Sequence, residues 1–259
     1  ILMVGAYAGY FVLARFGISP PALVFAFVFS MILCALLGIG IERFAYRPLR
    51  SAPRLNSLIT AIAVSLILQN GARVLPFIGP NPRQFPQLFP PPAANNIPLG
   101  SFSVSKIQII VIGLSALLML ALFFLINYTR RGKAMRAVSF DMQAASLMGI
   151  SVNGTISFTF GLGSILAAAG GILFAFAYPQ VSPTMGTMPG LKAFVAAVFG
   201  GIGSVPGAML GGIILGVAEA LTKGFLSSQY ADAISFSILI IILLVKPSGL
   251  LGGKTRIKV

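Results

Sequence analysis

Apolar runs recur along this chain at lengths that match a lipid bilayer, with short polar or basic pieces between them. They fall near 1–14, 21–41, 55–75, 107–127, 155–177, 191–203, 206–222 and 233–247. A helix rises about 1.5 Å per residue, so about 20 apolar residues cross a hydrocarbon core of about 30 Å. The pattern predicts an all-α fold, a polytopic membrane helix bundle of about eight segments within one transmembrane domain, 1–259. Ser19-Pro20-Pro21 separates the first two segments, because proline cannot continue a helix. The stretch 76–105 is dense in proline (Pro76, Pro80, Pro82, Pro86, Pro90, Pro91, Pro92, Pro98) and reads as extended, irregular and outside the membrane.

Basic residues gather in three places: Arg43, Arg47, Arg50 and Arg54; Arg130, Arg131, Lys133 and Arg136; and Lys254, Arg256 and Lys258. Clustered Lys and Arg beside apolar spans mark the cytoplasmic side. Segment 55–75 then runs outward, 107–127 inward and 155–177 outward. If 191–222 were a single span, the basic tail would end outside. Two crossings, broken at Gly203-Ser204-Val205-Pro206-Gly207, put the C-terminus in the cytoplasm. Segment 191–203 is short, so a broken helix is expected there, and non-helical backbone at membrane depth needs protein or a cavity around it. Leu55, Leu58, Ile59, Ala61 and Ile62 echo Leu191, Phe194, Val195, Ala197 and Val198 in a segment of opposite direction, a candidate inverted repeat of the kind transporters use.

Composition narrows the class. Of 259 residues, 57% are hydrophobic and only 8% charged, against about 25% charged in a soluble domain. A net charge of +14 would suggest nucleic acid in a soluble protein, but here the cations flank apolar spans, so topology explains them and no nucleic-acid partner is expected. The chain has no His and four acids, Glu42, Asp141, Glu219 and Asp232. That inventory removes metal hydrolysis and general acid–base work, so no catalytic, cofactor or metal residue is expected. No P-loop pattern occurs. Glu219 lies four residues before Lys223, the favourable order for a helical ion pair. Asp232 suits a helix start, and Glu42 sits beside Arg43 at a membrane edge; all three read as structural. Cys34 lies inside an apolar span, facing lipid or filling the core. The chain opens on Ile1 in mid-pattern without the basic start of a signal peptide, which reads as the loss of part of a first helix.

Small residues recur at spacing four: Gly5 and Gly9; Gly163, Ala167 and Gly171; Ala208, Gly212, Gly216 and Ala220. Such stripes let helix backbones approach closely. The segment 130–150 is too polar to span and too patterned for a slack loop. Ala134, Val138, Met142 (or Asp141), Ala145 and Met148 recur at three and four, predicting one short amphipathic helix stopped at Gly149. Two uses fit it equally: docking into a groove on a partner, or lying among lipid headgroups.

Several motifs, in order, resemble one family. Glu42-Arg43-Phe44-Ala45-Tyr46-Arg47-Pro48-Leu49-Arg50 is followed by Leu58-Ile59-Thr60-Ala61-Ile62-Ala63-Val64-Ser65-Leu66-Ile67-Leu68-Gln69-Asn70. Gly132, Arg136-Ala137, Asp141, Ala144-Ala145 and Gly149-Ile150 come next, then Gly200-Gly201-Ile202-Gly203-Ser204-Val205-Pro206-Gly207-Ala208 and Gly211-Gly212. The chain is similar throughout to the inner-membrane permeases of bacterial branched-chain amino acid ABC importers, in particular to the H-type subunit. The family's usual first helix and the Asn-Phe-Ala-His-Gly-type stretch after it are absent.

The resemblance implies an importer subunit that works by alternating access with a second, M-type permease, two cytoplasmic ATP-binding subunits and a periplasmic binding protein. It implies that 132–150 is the coupling segment resting on an ATPase, through Gly132, Arg136, Ala137, Asp141, Ala144, Ala145 and Gly149. It places the helix break and translocation path at Gly200, Gly201, Gly203, Pro206, Gly207, Gly211 and Gly212. A urea or short-chain amide permease of the same family is an alternative, and so, from another class, is a stand-alone secondary carrier.

Overall fold

The computed structural model describes residues 1–49, 53–88, 96–99, 102–201, 203–225, 227–246 and 249; Arg50 and the tail cations Lys254, Arg256 and Lys258 lie outside the described residues. Ten helices run along the described chain: α1 (Leu2–Phe16), α2 (Pro20–Ile41), α3 (Arg54–Val74), α4 (Lys106–Tyr128), α5 (Arg130–Phe140), α6 (Met142–Leu147), α7 (Val152–Ala177), α8 (Thr187–Gly200), α9 (Val205–Phe225) and α10 (Tyr230–Val245). Each apolar segment of the sequence falls on one helix. Among the described residues, four helices are long and apolar enough to cross a membrane: α2 with its continuation to Leu49, α4, α7 and α9; α1, α3, α8 and α10 carry shorter apolar stretches. The chain divides into two compact units, Ile1–Gly186 and Thr187–Val259.

In the first unit, α1, α2 and α7 pack directly on one another. Ser19 starts α2 by accepting a hydrogen bond from the Ala22 N–H, and Pro20 and Pro21 stand in the first turn, where a missing N–H costs nothing. The buried face of α2 is Ala22, Ala26, Ser30, Cys34 and Gly38, a small residue every fourth position for four turns. Cys34 is therefore core filler and does not face lipid. Gly5 abuts the backbone of Ala168, Gly9 meets Ile172, and Gly38 meets the side chain of Ser164. Gly171 lies against the Leu2 carbonyl. The stripe expected on α7 holds at Gly171 and is otherwise displaced by one position: its buried face holds Gly161, Ser164, Ala168, Gly171 and Ile172, while Gly163 is exposed with open space beside it. Spacing four was right, but neighbouring small residues left the register open.

Helix α2 widens into a π-helical turn at Glu42–Tyr46, then a 3-10 turn at Arg47–Leu49. Glu42 is fully buried and accepts a hydrogen bond of 2.5 Å from Ser157 Oγ on α7. Its role is structural as expected, but it faces the core, while Arg43 is exposed. The buried hydroxyls of Ser164, Thr222 and Ser235 return to their own helices, Ser164 to the Phe160 carbonyl at 2.8 Å, which satisfies them without water, whereas buried Ser30 Oγ has no hydrogen-bond partner among the described residues.

The proline-rich connection is more ordered than expected. β1 (Arg83–Gln84) pairs antiparallel with β4 (Gln180–Val181), and β2 (Asn96–Leu99) with β3 (Phe102–Ser105), Asn96 opposite Ser105. Phe85 is buried edge-on against Phe176 at 5.2 Å, and Arg83 Nε donates to the Ile78 carbonyl at 3.1 Å. Phe85 anchors the segment because a buried aromatic offsets the loss of loop freedom. Helix α4 is the opposite case: it is apolar all round and none of its residues is buried.

In the second unit, α9 folds back antiparallel on α8. Gly201 and Gly203 carry the turn at φ 107° and 94°, a left-handed region open to glycine. Ser204 Oγ accepts from the Gly207 N–H at 3.1 Å, capping α9, with Pro206 in its first turn. Val195, Ala196 and Leu215 form the core with Phe236 and Ile238 of α10 against them.

The contact of Gly171 with the Leu2 carbonyl predicts a sign difference between two glycines of one helix. Gly171→Ala should lower stability in detergent by about 1–3 kcal/mol through overpacking. Gly163→Ala should raise it by about 1 kcal/mol, since alanine is the better helix former. Thermal unfolding of the purified chain checks both, and equal shifts would refute the crossing.

Candidate functional site

The polar segment between α4 and α7 is a helical elbow. Thr129 ends α4 and begins α5, where its Oγ1 accepts from the Gly132 N–H at 3.0 Å. A side chain on Gly132 would strike the carbonyls of Leu125 and Ile126, so glycine is what lets α5 bend this sharply off α4. Arg136 closes the angle from the other side: Nη1 donates to Asn127 Oδ1 at 3.2 Å and Nη2 to the Asn127 carbonyl at 3.4 Å. One cation thus satisfies an orphan carbonyl at the end of α4, where the helix dipole favours it.

The single amphipathic helix expected over this stretch is two. Asp141 interrupts it, with its Oδ1 accepting from the N–H groups of Gln143 and Ala144 at 2.9 and 3.0 Å. An aspartate caps a new helix better than it continues an old one. Gly149, at φ 79°, ends α6 as expected: its N–H bonds the Ser146 carbonyl, and the Ile150 N–H reaches the Ala145 carbonyl, both at 3.0 Å.

The break also splits the predicted stripe. Gly132, Val138 and Ala145 are buried, whereas Met142 and Met148 point outward. Arg136 and Ala144 are exposed, and Ala137 is half-buried. Phe140 and Leu147 join the two methionines in an apolar knob, with Leu147 88% and Met148 83% exposed. Neither Phe140 nor Leu147 stood out in the sequence, although each is a large apolar residue at the end of a polar run.

The glycine-rich signature builds the turn of the second unit. Gly200 lies on the backbone of Gly207, and Gly211 on the Ala196 carbonyl. These close contacts draw α8 and α9 together, with Gly201 and Gly203 in the turn. Gly212 only grazes the Ala196 methyl, and Gly212, Gly216 and Ala220 are exposed. The expected stripe at Ala208, Gly212, Gly216 and Ala220 is again one position off the packed face.

Away from the turn, α8, α9 and α10 share a charge network. Lys192 Nζ lies 2.8 Å from both Glu219 Oε1 and Asp232 Oδ1, and Lys223 Nζ lies 2.6 Å from the same glutamate oxygen. The pairing of Glu219 with Lys223 and the place of Asp232 in the first turn of α10 follow the sequence reading. Lys192 was missed. A lone lysine inside an apolar segment was the signal, since such a charge requires a partner.

A cleft of about 210 Å³ in the first unit is lined mainly by apolar side chains, among them Met3, Val64, Leu68 and Phe160. Its polar wall is Ser65 and Gln69 of α3, joined by a 3.0 Å hydrogen bond from Gln69 Nε2. Such a lining suits a small molecule with one apolar and one polar end.

The profile of the family described as "Branched-chain amino acid transport system / permease component" matches residues 1–243. The chain is 41% identical over 97% of its length, and 83% of the relative's, to the high-affinity branched-chain amino acid transport system permease protein LivH of Salmonella typhimurium. It is equally similar to LivH of Escherichia coli. With the corresponding permease protein BraD of Pseudomonas aeruginosa it shares 39% identity, over 97% of the chain and 83% of the relative. No solved structure matches it.

The shared ammonium of Lys192 sets the response to its removal. Lys192→Met should cost about 1–3 kcal/mol, the upper bound being reduced because Lys192, Glu219 and Asp232 remain 25%, 20% and 46% exposed. Lys192→Arg should recover most of the loss. Thermal melting of the purified variants decides; a Met variant as stable as the wild type would show that the network holds nothing together.

Proposed function

The chain belongs to the family of permease components of branched-chain amino acid transport systems, and we propose that it is a membrane-spanning subunit of an ATP-driven importer for leucine, isoleucine and valine. In this reading it lies in the bacterial inner membrane with its C-terminus in the cytoplasm. It works as one permease domain beside a second, M-type permease, two cytoplasmic ATP-binding subunits and a periplasmic binding protein. It performs no chemistry of its own. The names of its relatives support the substrate class; the elbow supports the mode of driving.

The observation that carries the proposal is the exposed knob of Phe140, Met142, Leu147 and Met148 on that elbow. Four cations, Arg130, Arg131, Lys133 and Arg136, lie on α5, so the elbow takes the cytoplasmic side by the positive-inside rule. Large apolar side chains held out between charges lose free energy when a partner covers them, about 1.5–3 kcal/mol for each full burial. An ATP-binding subunit is the partner whose movement would do work there. Thr129, Gly132 and Arg136 fix the elbow to α4, and only four residues separate the end of α6 from the start of α7. A push on the knob therefore acts on two long apolar helices at once, which is what alternating access requires. The transported amino acid would use the apolar cleft beside Ser65 and Gln69, with polar groups for its charged ends and aliphatic walls for its side chain.

The test is the double variant Leu147→Glu and Met148→Glu. Both side chains are exposed, so insertion and melting should match the wild type. Copurification of the ATP-binding subunits and ATP-driven leucine uptake in proteoliposomes should fall by about tenfold or more. Undiminished uptake with the ATP-binding subunits still attached would overturn the coupling role.

A further inference from the structure

A cavity of about 510 Å³ opens between α5 and the start of α7, lined by Arg130, Arg131, Ala134, Ile150, Phe158 and the turn Ser151, Gly154 and Thr155. We propose that this cavity binds the phosphate of an anionic phospholipid, phosphatidylglycerol being the simplest such headgroup.

Three observations converge on it. First, two adjacent guanidiniums face one space, and neither meets a carboxylate among the described residues. Arg131 is held in place by stacking over the Phe158 ring, 4.8 Å from its centroid. A guanidinium fork matches phosphate oxygens in pairs, and a stacked one loses little freedom on binding.

Second, the remaining polar wall is the first turn of α7. Ser151 gives it no side-chain cap, and Gly154 contributes bare backbone. The hydroxyl of Thr155 donates to the Ser151 carbonyl at 3.0 Å, which keeps that carbonyl from opposing an anion. The positive end of a long helix thus adds to the two arginines.

Third, the depth is that of lipid headgroups. The cavity lies between the start of α7 and the first turn of α5, which begins just after α4 ends at Tyr128, an aromatic 69% exposed. Aromatic residues at helix ends sit at the membrane interface, and basic pockets between spans at that level take lipid phosphates. Ala134, Ile150 and Phe158 supply an apolar side for the glycerol and the first methylenes. A soluble anion would have no use for that wall. The assignment does not depend on which solute is transported.

Native mass spectrometry of the purified transport complex, titrated with phosphatidylglycerol or phosphatidylcholine, tests the proposal. The wild type should retain phosphatidylglycerol in preference to phosphatidylcholine. Arg130→Ala with Arg131→Ala should weaken that retention by about thirtyfold, and Arg130→Gln alone by about fivefold. The single variant keeps the test decisive if the double variant does not fold. Arg43→Ala with Arg47→Ala, an equal loss of charge at exposed positions elsewhere, should leave it unchanged. Equal weakening by both pairs would reduce the effect to surface charge and overturn the site. Equal retention of phosphatidylcholine would overturn it too, as would inorganic phosphate displacing the lipid and binding alone.

Discussion

Inside a bilayer an apolar side chain gains nothing by leaving lipid for protein, so helices adhere through the closeness of their surfaces. The first unit is organised by that constraint. Ala22, Ala26, Ser30, Cys34 and Gly38 give α2 a smooth buried face, and Gly5, Gly9 and Gly171 let α1 and α7 approach to backbone contact. The second unit solves the same problem at Gly200, Gly207 and Gly211. Large apolar residues turn outward instead, as Phe25, Phe29 and Leu36 do on α2. On α2 the usual inside-out rule of soluble proteins is replaced by small-inside, large-outside.

That replacement explains what the sequence disclosed. The positions of the apolar helices and the helix break before Val205 were legible, because hydropathy and proline or glycine punctuation are properties of single segments. Which small residues would pack was not. With Gly211 and Gly212 adjacent, or Gly161 and Gly163 two apart, a stripe can be drawn on either of two faces, and only the partner helix chooses. The stripe on α9, and that on α7 apart from Gly171, failed in this way. The elbow failed differently: an apolar period running through Asp141 hid a capping residue that starts a second helix, and so hid the outward turn of Met142 and Met148. Glu42 and Ser157 are too far apart in sequence for any local pattern to join them.

Rigidity is distributed with a purpose that fits the family. The elbow is held by backbone-directed bonds, from Thr129 to Gly132 and from Arg136 to both oxygens of Asn127. The α8–α9 hairpin is held by glycine contacts at its turn and by four charges beyond it. Neither depends on exposed apolar contact, which leaves the outer faces of α4 and the knob for other molecules. In the proposed importer, a subunit that moves against partners needs stiff parts that carry exposed surfaces.

The charge network also bears on where energy enters such a machine. A proton-driven carrier commonly relays its proton through an intramembrane carboxylate that changes its partner during the cycle. Glu219 is bound by two ammonium groups and Asp232 by one, while Glu42 is sealed in the core against Ser157. Asp141, the remaining acid of the chain, is occupied in capping α6. With every carboxylate held in a structural bond, the residues favour the proposed reading, in which work arrives as mechanical displacement at a surface. In the proposed reading the elbow receives it, and a small tilt of α5 and α6 would reach α4 and α7 because Gly132 leaves no slack between α4 and α5.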